Sequence, residues 1–237
     1  MRQTAGRRLR PHRKGLRDEE MNRINYQKQL DALLKHIEAD NEAGRKPPRL
    51  FLHSCCAPCS SYVLEYLSDY FQITDFFYNP NIEPREEYRF REEELMRLIS
   101  EMNPRYPIDF LPGWYDPSIF HRAVKGLESL PEGGERCFIC YRLRMEEAAK
   151  LAAAGGYDYF TTTLSISPLK NAEKINEIGQ ELEKEYGVRH LPSDFKKKNG
   201  YLRSVQLSQE HQLYRQDFCG CVYSKAQRER EKRQAGV

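Results

Sequence analysis

Seven cysteines dominate the chemistry that this sequence can support. Small secreted domains distribute paired cysteines around the fold, whereas an odd number in tight groups is typical of metal ligands. We therefore interpret all seven thiols as candidate metal ligands in a cytoplasmic, disulfide-free protein. The three groups are Cys55, Cys56 and Cys59, then Cys137 and Cys140, then Cys219 and Cys221.

The number of thiols limits the kind of metal site. A structural zinc site or a cuboidal iron–sulfur cluster uses four thiolates. Seven thiols therefore suggest a four-thiolate cluster and three thiolates for a second metal, whose open coordination position accepts substrate. Zinc also fits such ligands but carries no electrons. The thiols alone leave a redox interpretation and a structural one open.

Between Arg49 and Leu191, short apolar runs alternate with helical stretches. This pattern is typical of parallel strands joined by crossover helices, and it predicts an α/β fold with an open parallel sheet of about five strands. We expect helical extensions at both ends. The predicted strands are Leu50–Ser54, Ile73–Tyr78, Ile108–Leu111, Tyr157–Thr163 and Val188–Leu191. The predicted helices are Asn25–Ala43, Ser60–Ser68, Pro84–Met102, Pro117–Ser129, Phe138–Ala154, Asn171–Tyr186 and Ser204–Arg215.

The predicted elements explain how distant thiols meet. The first group lies between a strand and a helix, the second opens a helix after two glycines, and Gly220 allows a bend within the third. The positive end of a helix dipole favours the thiolate, which is the form that binds metal. In open parallel sheets, sites lie beyond the carboxyl ends of the strands. We therefore expect one shared site there.

Polar segments near the same sheet edge are candidate substrate contacts. Each has a structural alternative: a turn, a helix cap or a solvated charged loop. Cations interleaved with aromatics suit phosphate contacts and base stacking. The candidates are Asn79 and Asn81 after the second strand, Thr163, Ser165, Ser167 and Lys170 after the fourth, and Lys196, Lys197, Lys198, Tyr201 and Arg203 in a basic segment. We expect His53 to be a hydrogen-bonded core histidine.

Composition indicates a folded chain with charged ends. The 237 residues carry a net charge of +3 and are 39% hydrophobic, which excludes general disorder. No apolar run approaches the roughly 18 residues of a membrane span, so no membrane partner is expected. We divide the chain into a basic flexible arm at 1–24, a single α/β catalytic domain at 25–224 and a charged tail at 225–237.

Six segments together resemble the QueH family of epoxyqueuosine reductases. They occur in order between Asn25 and Ser224, which makes coincidence remote. The segments are His53–Cys59, Phe77–Ile82, Arg136–Arg142, Thr162–Pro168, Asp194–Lys197 and Cys219–Cys221.

This resemblance implies the last step of queuosine biosynthesis, the two-electron reduction of epoxyqueuosine to queuosine at the wobble position of tRNA. It implies a fold of the HUP or adenine-nucleotide α-hydrolase type and a [4Fe-4S] cluster beside a second mononuclear metal, expected to be iron. The implied partners are a tRNA anticodon loop and an unidentified electron donor, ferredoxin- or flavodoxin-like.

The resemblance also assigns the thiols in part. Cys137 and Cys140 match cluster ligands, and one thiol from each of the other two pairs, Cys55 with Cys56 and Cys219 with Cys221, completes the four. The remaining thiols, with Cys59, would hold the second metal. The candidate catalytic thiols are Cys55, Cys59 and Cys221.

Two alternative functions follow from the same features. An ATP-using tRNA-thiolation enzyme of this fold group needs a glycine-rich phosphate loop after the first strand, where this chain has thiols and Pro58. A zinc-stabilised RNA-binding module without catalysis also fits the thiols. Iron and sulfide content separates that module from a cluster enzyme.

Overall fold

A computed structural model describes residues 24–236 of the chain. The predicted basic arm at 1–24 therefore lies outside the described residues, apart from Ile24. Five strands are present: β1 Arg49–Ser54, β2 Gln72–Phe77, β3 Ile108–Pro112, β4 Tyr159–Thr162 and β5 Arg189–His190. The helices are α1 Tyr26–Glu42, α2 Ala57–Leu67, α3 Arg85–Glu101, α4 Pro117–Ala123, α5 Glu135–Ala154, α6 Ala172–Tyr186, α7 Gly200–Glu210 and α8 Val222–Ala235, with a 3-10 turn at Thr163–Ile166.

The strands form one parallel sheet in the order β3-β2-β1-β4-β5. This confirms the predicted α/β fold. The chain moves outward from β1 to β2 and β3 on one side, and then crosses to β4 and β5 on the other. The loops after β1 and β4 therefore diverge to opposite faces, which opens a crevice between their carboxyl ends.

Two apolar layers cover the sheet. Leu50 and Leu52 of β1 pack with α1, α2 and α3 on one face, whereas Phe51 packs with α5 and α6 on the other. The central strands β1 and β4 are therefore buried on both faces, as expected for a parallel sheet, whereas the edge strand β3 is largely exposed. None of the helices within residues 24–236 has the length and apolar character needed to cross a bilayer.

The clearest differences from the predicted helices lie at α4, at α7 and in the C-terminal tail. α4 ends at Ala123 rather than Ser129, because the chain turns at Gly126, where φ is +87°. α7 begins at Gly200 because two residues with positive φ, Lys198 and Asn199, precede it. The predicted charged tail is helical: α8 extends from Val222 to Ala235 and its first turn follows the last thiol group.

A buried carboxyl group fixes the end of β1. The Ser54 hydroxyl donates to Asp75 Oδ2 at 2.6 Å, and the Asn79 amide donates to the Ser54 carbonyl at 2.8 Å. Burial raises the pKa of Asp75 to about 7, although the hydrogen bond from Ser54 acts to lower it. These contacts hold the strand immediately before the first thiol.

The raised pKa of Asp75 predicts a stability that falls with rising pH. The neutral carboxyl stabilises the fold fully below about pH 4, and this contribution is lost as the pH rises through about 7, up to roughly 4 kcal/mol. In urea titrations under reducing conditions, Asp75→Asn should remove this decline. Asp69→Asn, at an exposed position after α2, is the control. Equal pH profiles for the native chain and Asp75→Asn would contradict the assignment.

The contact between α6 and β5 requires a glycine. A Cβ on Gly179 would overlap the imidazole ring of His190. His190 is 5% exposed, so the ring has little room to move. Since Gly179 is helical, alanine there would otherwise stabilise the helix.

Gly179→Ala should therefore lower the free energy of unfolding by about 1–3 kcal/mol, as for overpacking of a core. Urea denaturation measures this change, with Lys184→Ala on the exposed face of α6 as the control. The double variant Gly179→Ala/His190→Ala should lose less stability than the two single changes summed. Strict additivity would show that the imidazole is not the obstacle.

Candidate metal centre and substrate cavity

Three thiols meet at the junction of β1 and α2. The Sγ atoms of Cys55, Cys56 and Cys59 all lie within 4.8 Å of one another, and those of Cys55 and Cys56 are 3.9 Å apart. Two thiolates on one tetrahedral ion with bonds of about 2.3 Å stand about 3.8 Å apart. Ligands on different irons of a cuboidal cluster are separated further by the cube itself. This triad has the spacing for a single ion.

Ionisation of one of these three thiols disfavours ionisation of the other two. Hydrogen bonds from Cys56 and Cys59 lower the pKa of Cys55 well below its usual value, and Lys170 and Arg144 act in the same direction. The bond to Cys55 raises the pKa of Cys56 to about 12 and also raises that of Cys59. The protein alone therefore supports one thiolate. A bound cation would allow all three to ionise.

The other four thiols line a second, much smaller space of about 10 Å³, where they are joined by Asn81 and Arg144. Burial raises the pKa of Cys140 to about 12 and also raises those of Cys137 and Cys221. Cys219 lines both this space and the large cavity beside the triad. The quartet of Cys137, Cys140, Cys219 and Cys221 is thus continuous with the triad.

Backbone geometry aims three helix starts at the thiols. Cys56 is the N-cap of α2, Cys137 lies in the first turn of α5, and Cys221 is the N-cap of α8. The backbone N–H groups of Gly133 and Ser224 donate to the sulfurs of Cys137 and Cys221, at 3.3 and 3.4 Å. The sequence predicted the first two helix starts and missed the third. All three favour a negatively charged centre.

Buried polar groups without partners test whether this quartet suits a charged cluster. Both polar atoms of the Asn81 side chain and one terminal nitrogen of Arg144 are buried and lack a hydrogen-bond partner in the described part of the chain. Such atoms are rare in folded proteins because each costs free energy. A thiolate-bound cluster supplies sulfur acceptors to buried donors. The residues therefore fit a four-thiolate cluster, with a single-ion site beside it.

A cavity of about 530 Å³ opens beside the triad. Its wall includes the three thiols and Cys219, so a molecule inside it reaches the metal site. Residues of the wall also come from the loop after β4, from α7, from the loop between α7 and α8, and from α8: Ser167, Lys170, Tyr201, Gln216, Gln227 and Arg228. The volume suits a nucleoside-sized group.

The predicted substrate residues fall into two sets. Ser167, Lys170 and Tyr201 line the cavity. In contrast, Asn79 and Ser165 are fully buried and serve the fold: Asn79 holds the end of β1, and Ser165 Oγ pairs with Ser193 Oγ at 2.9 Å. Two more candidates are also fully buried, namely Asn81, which lines the small space of the quartet, and Thr163, whose Oγ1 lies 3.8 Å from Cys55 Sγ.

The basic segment contributes its tyrosine, rather than its cations, to the cavity wall. Lys198 pairs with Asp31 of α1 at 2.7 Å, and Arg203 forms two bonds to Glu65 of α2. Lys196 pairs with Asp194 at 2.6 Å, and Lys197 is exposed. None of these four cations lines the cavity within residues 24–236.

His53 is a core residue, as predicted. Its Nδ1 lies 2.8 Å from Thr162 Oγ1 and its Nε2 lies 3.0 Å from the Tyr78 carbonyl. Burial lowers its pKa to about 3, so the ring is neutral. His53 therefore holds β1 to its neighbours and does not reach the cavity wall.

Sequence reasoning missed the buried arginines around the thiols. Arg91, Arg136 and Arg144 are each at most 2% exposed. One signal was available, because Arg144 follows Cys140 by four residues and therefore lies on the same face of α5. Arg91 is a second case: it pairs with Glu87 and donates to the Cys219 carbonyl at 3.3 Å, which holds the third thiol group.

Comparison with known proteins identifies the family. The profile of the family described as "Epoxyqueuosine reductase QueH" matches residues 50–227. The chain is 43% identical to the epoxyqueuosine reductase QueH of Streptococcus pyogenes serotype M1 over 204 residues, covering 85% of this chain and 78% of the relative.

Two further relatives carry the same name. That of Staphylococcus epidermidis is 41% identical over 85% of each chain. That of Thermotoga maritima is 38% identical over 77% of this chain and 93% of its own length. The chain therefore belongs to the epoxyqueuosine reductase QueH family, which confirms the resemblance and the oxidoreductase activity predicted from its motifs.

Proposed function

We propose that this protein reduces epoxyqueuosine to queuosine in the anticodon loop of tRNA, at the cavity beside the thiol triad, and that it works in the cytoplasm. One observation carries the proposal: three thiols spaced for one ion form the wall of a nucleoside-sized cavity. The four-thiol quartet lies directly behind them. A metal centre in reach of a bound substrate is what the reaction requires.

The quartet is proposed to hold a [4Fe-4S] cluster and the triad a second metal, iron. When bound, the cluster supplies electrons and the second metal a Lewis acid. The small space groups both Cys219 and Cys221 with Cys137 and Cys140. The family resemblance instead draws one thiol from each adjacent pair. Both divisions assign Cys137 to the cluster and Cys59 to the second metal.

The chain's own side chains bind and orient the substrate. Tyr201 is 39% exposed at the cavity wall, so its ring can stack on a base turned out of the anticodon loop. Arg228 and Gln227 of α8 supply polar contacts on the same wall. Exposed Lys197 remains a candidate for phosphate contacts outside the cavity.

Proton supply is proposed for Lys170. The reaction consumes two electrons and two protons as the epoxide becomes an alkene and water. Lys170 lies on the cavity wall, where burial acts to lower its pKa but the sulfurs of Cys219, Cys55 and Cys59, when ionised by a bound metal, raise it overall. Its ammonium group therefore holds a proton beside the triad. The electrons come from an external donor, for which a ferredoxin- or flavodoxin-like protein is proposed.

The direct test is turnover on substrate tRNA. Anaerobically purified protein with a chemical reductant should convert epoxyqueuosine-containing tRNA to queuosine, detected by nucleoside mass spectrometry as loss of one oxygen. The protein should be brown, with absorbance near roughly 400 nm. A colourless, zinc-containing protein that binds the tRNA without converting it would contradict the proposal.

Cysteine variants test the two metal sites. Cys137→Ser should lose cluster iron, sulfide and turnover, because a cuboidal cluster needs its four thiolates. Cys59→Ser should keep most of the sulfide and colour and lose turnover. Urea midpoints of the metal-free chains control for folding. Parallel loss of sulfide in both variants would contradict two distinct sites. The sulfide content of Cys56→Ser shows whether Cys56 is a ligand of the cluster or of the second metal.

Lys170 variants test the proton donor. Lys170→Met should lower kcat by about 10²–10⁴-fold at unchanged iron content, with little change in KM, since the lost group acts on the reacting oxygen. Lys170→Arg keeps the charge but is a poor acid, and it should stay impaired. Full turnover in Lys170→Arg would show that charge alone suffices. Lys184→Met, exposed on α6, is the matched control.

A further inference from the structure

Arg144 is the most unusual charge in the molecule. Its side chain is 1% exposed, and among the described residues it has no carboxylate partner. A guanidinium group cannot lose its proton in a protein, so it stays charged in the interior. An unpaired charge in such a place costs several kcal/mol. Some other negative charge must therefore balance Arg144.

The contacts of Arg144 fix its position between the thiols. Its Nε donates to the Cys140 carbonyl at 3.1 Å, and one terminal nitrogen donates to Asn79 Oδ1 at 3.3 Å. The other terminal nitrogen lacks a partner among residues 24–236 and belongs to a residue that lines the small space of the quartet. Burial acts to lower the pKa of Arg144, but the sulfurs of Cys140, Cys219 and Cys55, when ionised, raise it.

The other buried arginines are neutralised or held differently. Arg91 pairs with the Glu87 carboxylate at 2.6 Å. Arg136 donates to the carbonyls of Glu128 and Leu130 and lies over the Tyr223 ring, 4.8 Å from its centroid. Arg91 also lies near thiols of both groups, Cys56 and Cys219, but its charge is already paired with Glu87. Arg144 lines the space of the quartet without a carboxylate of its own.

We propose that Arg144 is the counter-ion shared by the two metal sites and that it raises the reduction potential of the cluster. This inference rests on the proposed function. Seven thiolates bring more negative charge than a cluster core and one divalent ion neutralise, so the site keeps a negative charge. Each added electron increases that charge. A fixed cation within the low-dielectric interior therefore favours the reduced form.

The test is the reduction potential of the loaded cluster, measured by a redox titration followed by visible absorbance and electron paramagnetic resonance, without tRNA. Arg144→Met and Arg144→Gln both remove the charge, and glutamine keeps a donor for Asn79. Both should shift the potential to more negative values. Arg144→Lys keeps the charge and should shift it less.

Arg142→Met is the matched control, because Arg142 lies on the same helix but is 39% exposed and pairs with Glu181 and Glu185. Its potential should equal that of the native protein. Equal potentials in all variants would overturn the inference, as would an equal shift in Arg144→Lys and Arg144→Met. So would loss of the cluster from every Arg144 variant while the chains stay folded, because that would indicate a role in assembly.

The outcomes separate this inference from the proposed function. Native protein without iron and sulfide contradicts the proposed function itself. Native protein with a cluster and active on tRNA, combined with an unchanged potential in Arg144→Met, contradicts only the role of Arg144. Iron and sulfide per chain are therefore measured before every titration.

Discussion

The concentration of charge at one buried sheet edge is the constraint on which the rest of this structure depends. Seven thiols and three nearly inaccessible arginines converge beyond the carboxyl ends of β1 and β4. Each charged group alone would be costly there, so each is stable only with the others. The starts of α2, α5 and α8 add partial positive charge. A bound metal would complete this balance of opposing charges.

The sheet supplies the geometry for that concentration. Because β1 and β4 are neighbours whose following loops diverge, the loop from one strand does not block the other. Cys55 follows β1 and Thr163 follows β4, and their side chains approach to 3.8 Å. The hydrogen bonds of Ser54 with Asp75 and Asn79 fix the last residue of β1. Thiol positions therefore derive from strand ends held by buried polar contacts.

Much of this fold was predictable from the sequence. Short apolar runs alternating with helical stretches mark a parallel sheet, and all five predicted strands, from Leu50–Ser54 to Val188–Leu191, overlap the observed ones. Tight cysteine spacing likewise indicated the triad, because residues one to four apart at a helix start stay close in space.

Other features depend on contacts that no local pattern encodes. Helix α8 has only one buried residue, Ser224, so it carries no apolar stripe. It is instead held by the N-cap Cys221 and by salt bridges that Asp217 forms with Arg228 and Lys232. Lys198 and Arg203 similarly find their carboxylates on α1 and α2, far away along the chain. The run of basic residues in the sequence therefore did not show which cations line the cavity.

The last third of the chain joins the thiols to the cavity wall. Cys219 and Cys221 are two of the seven thiols, and the helix that follows them carries Gln227 and Arg228 into the cavity wall. Gly220 has φ +117°, and a Cβ there would come within 2.8 Å of Ile82, so this turn requires glycine. A ligand that binds only the folded arrangement stabilises it. A metal held by these thiols would therefore also stabilise the wall that a bound substrate would meet.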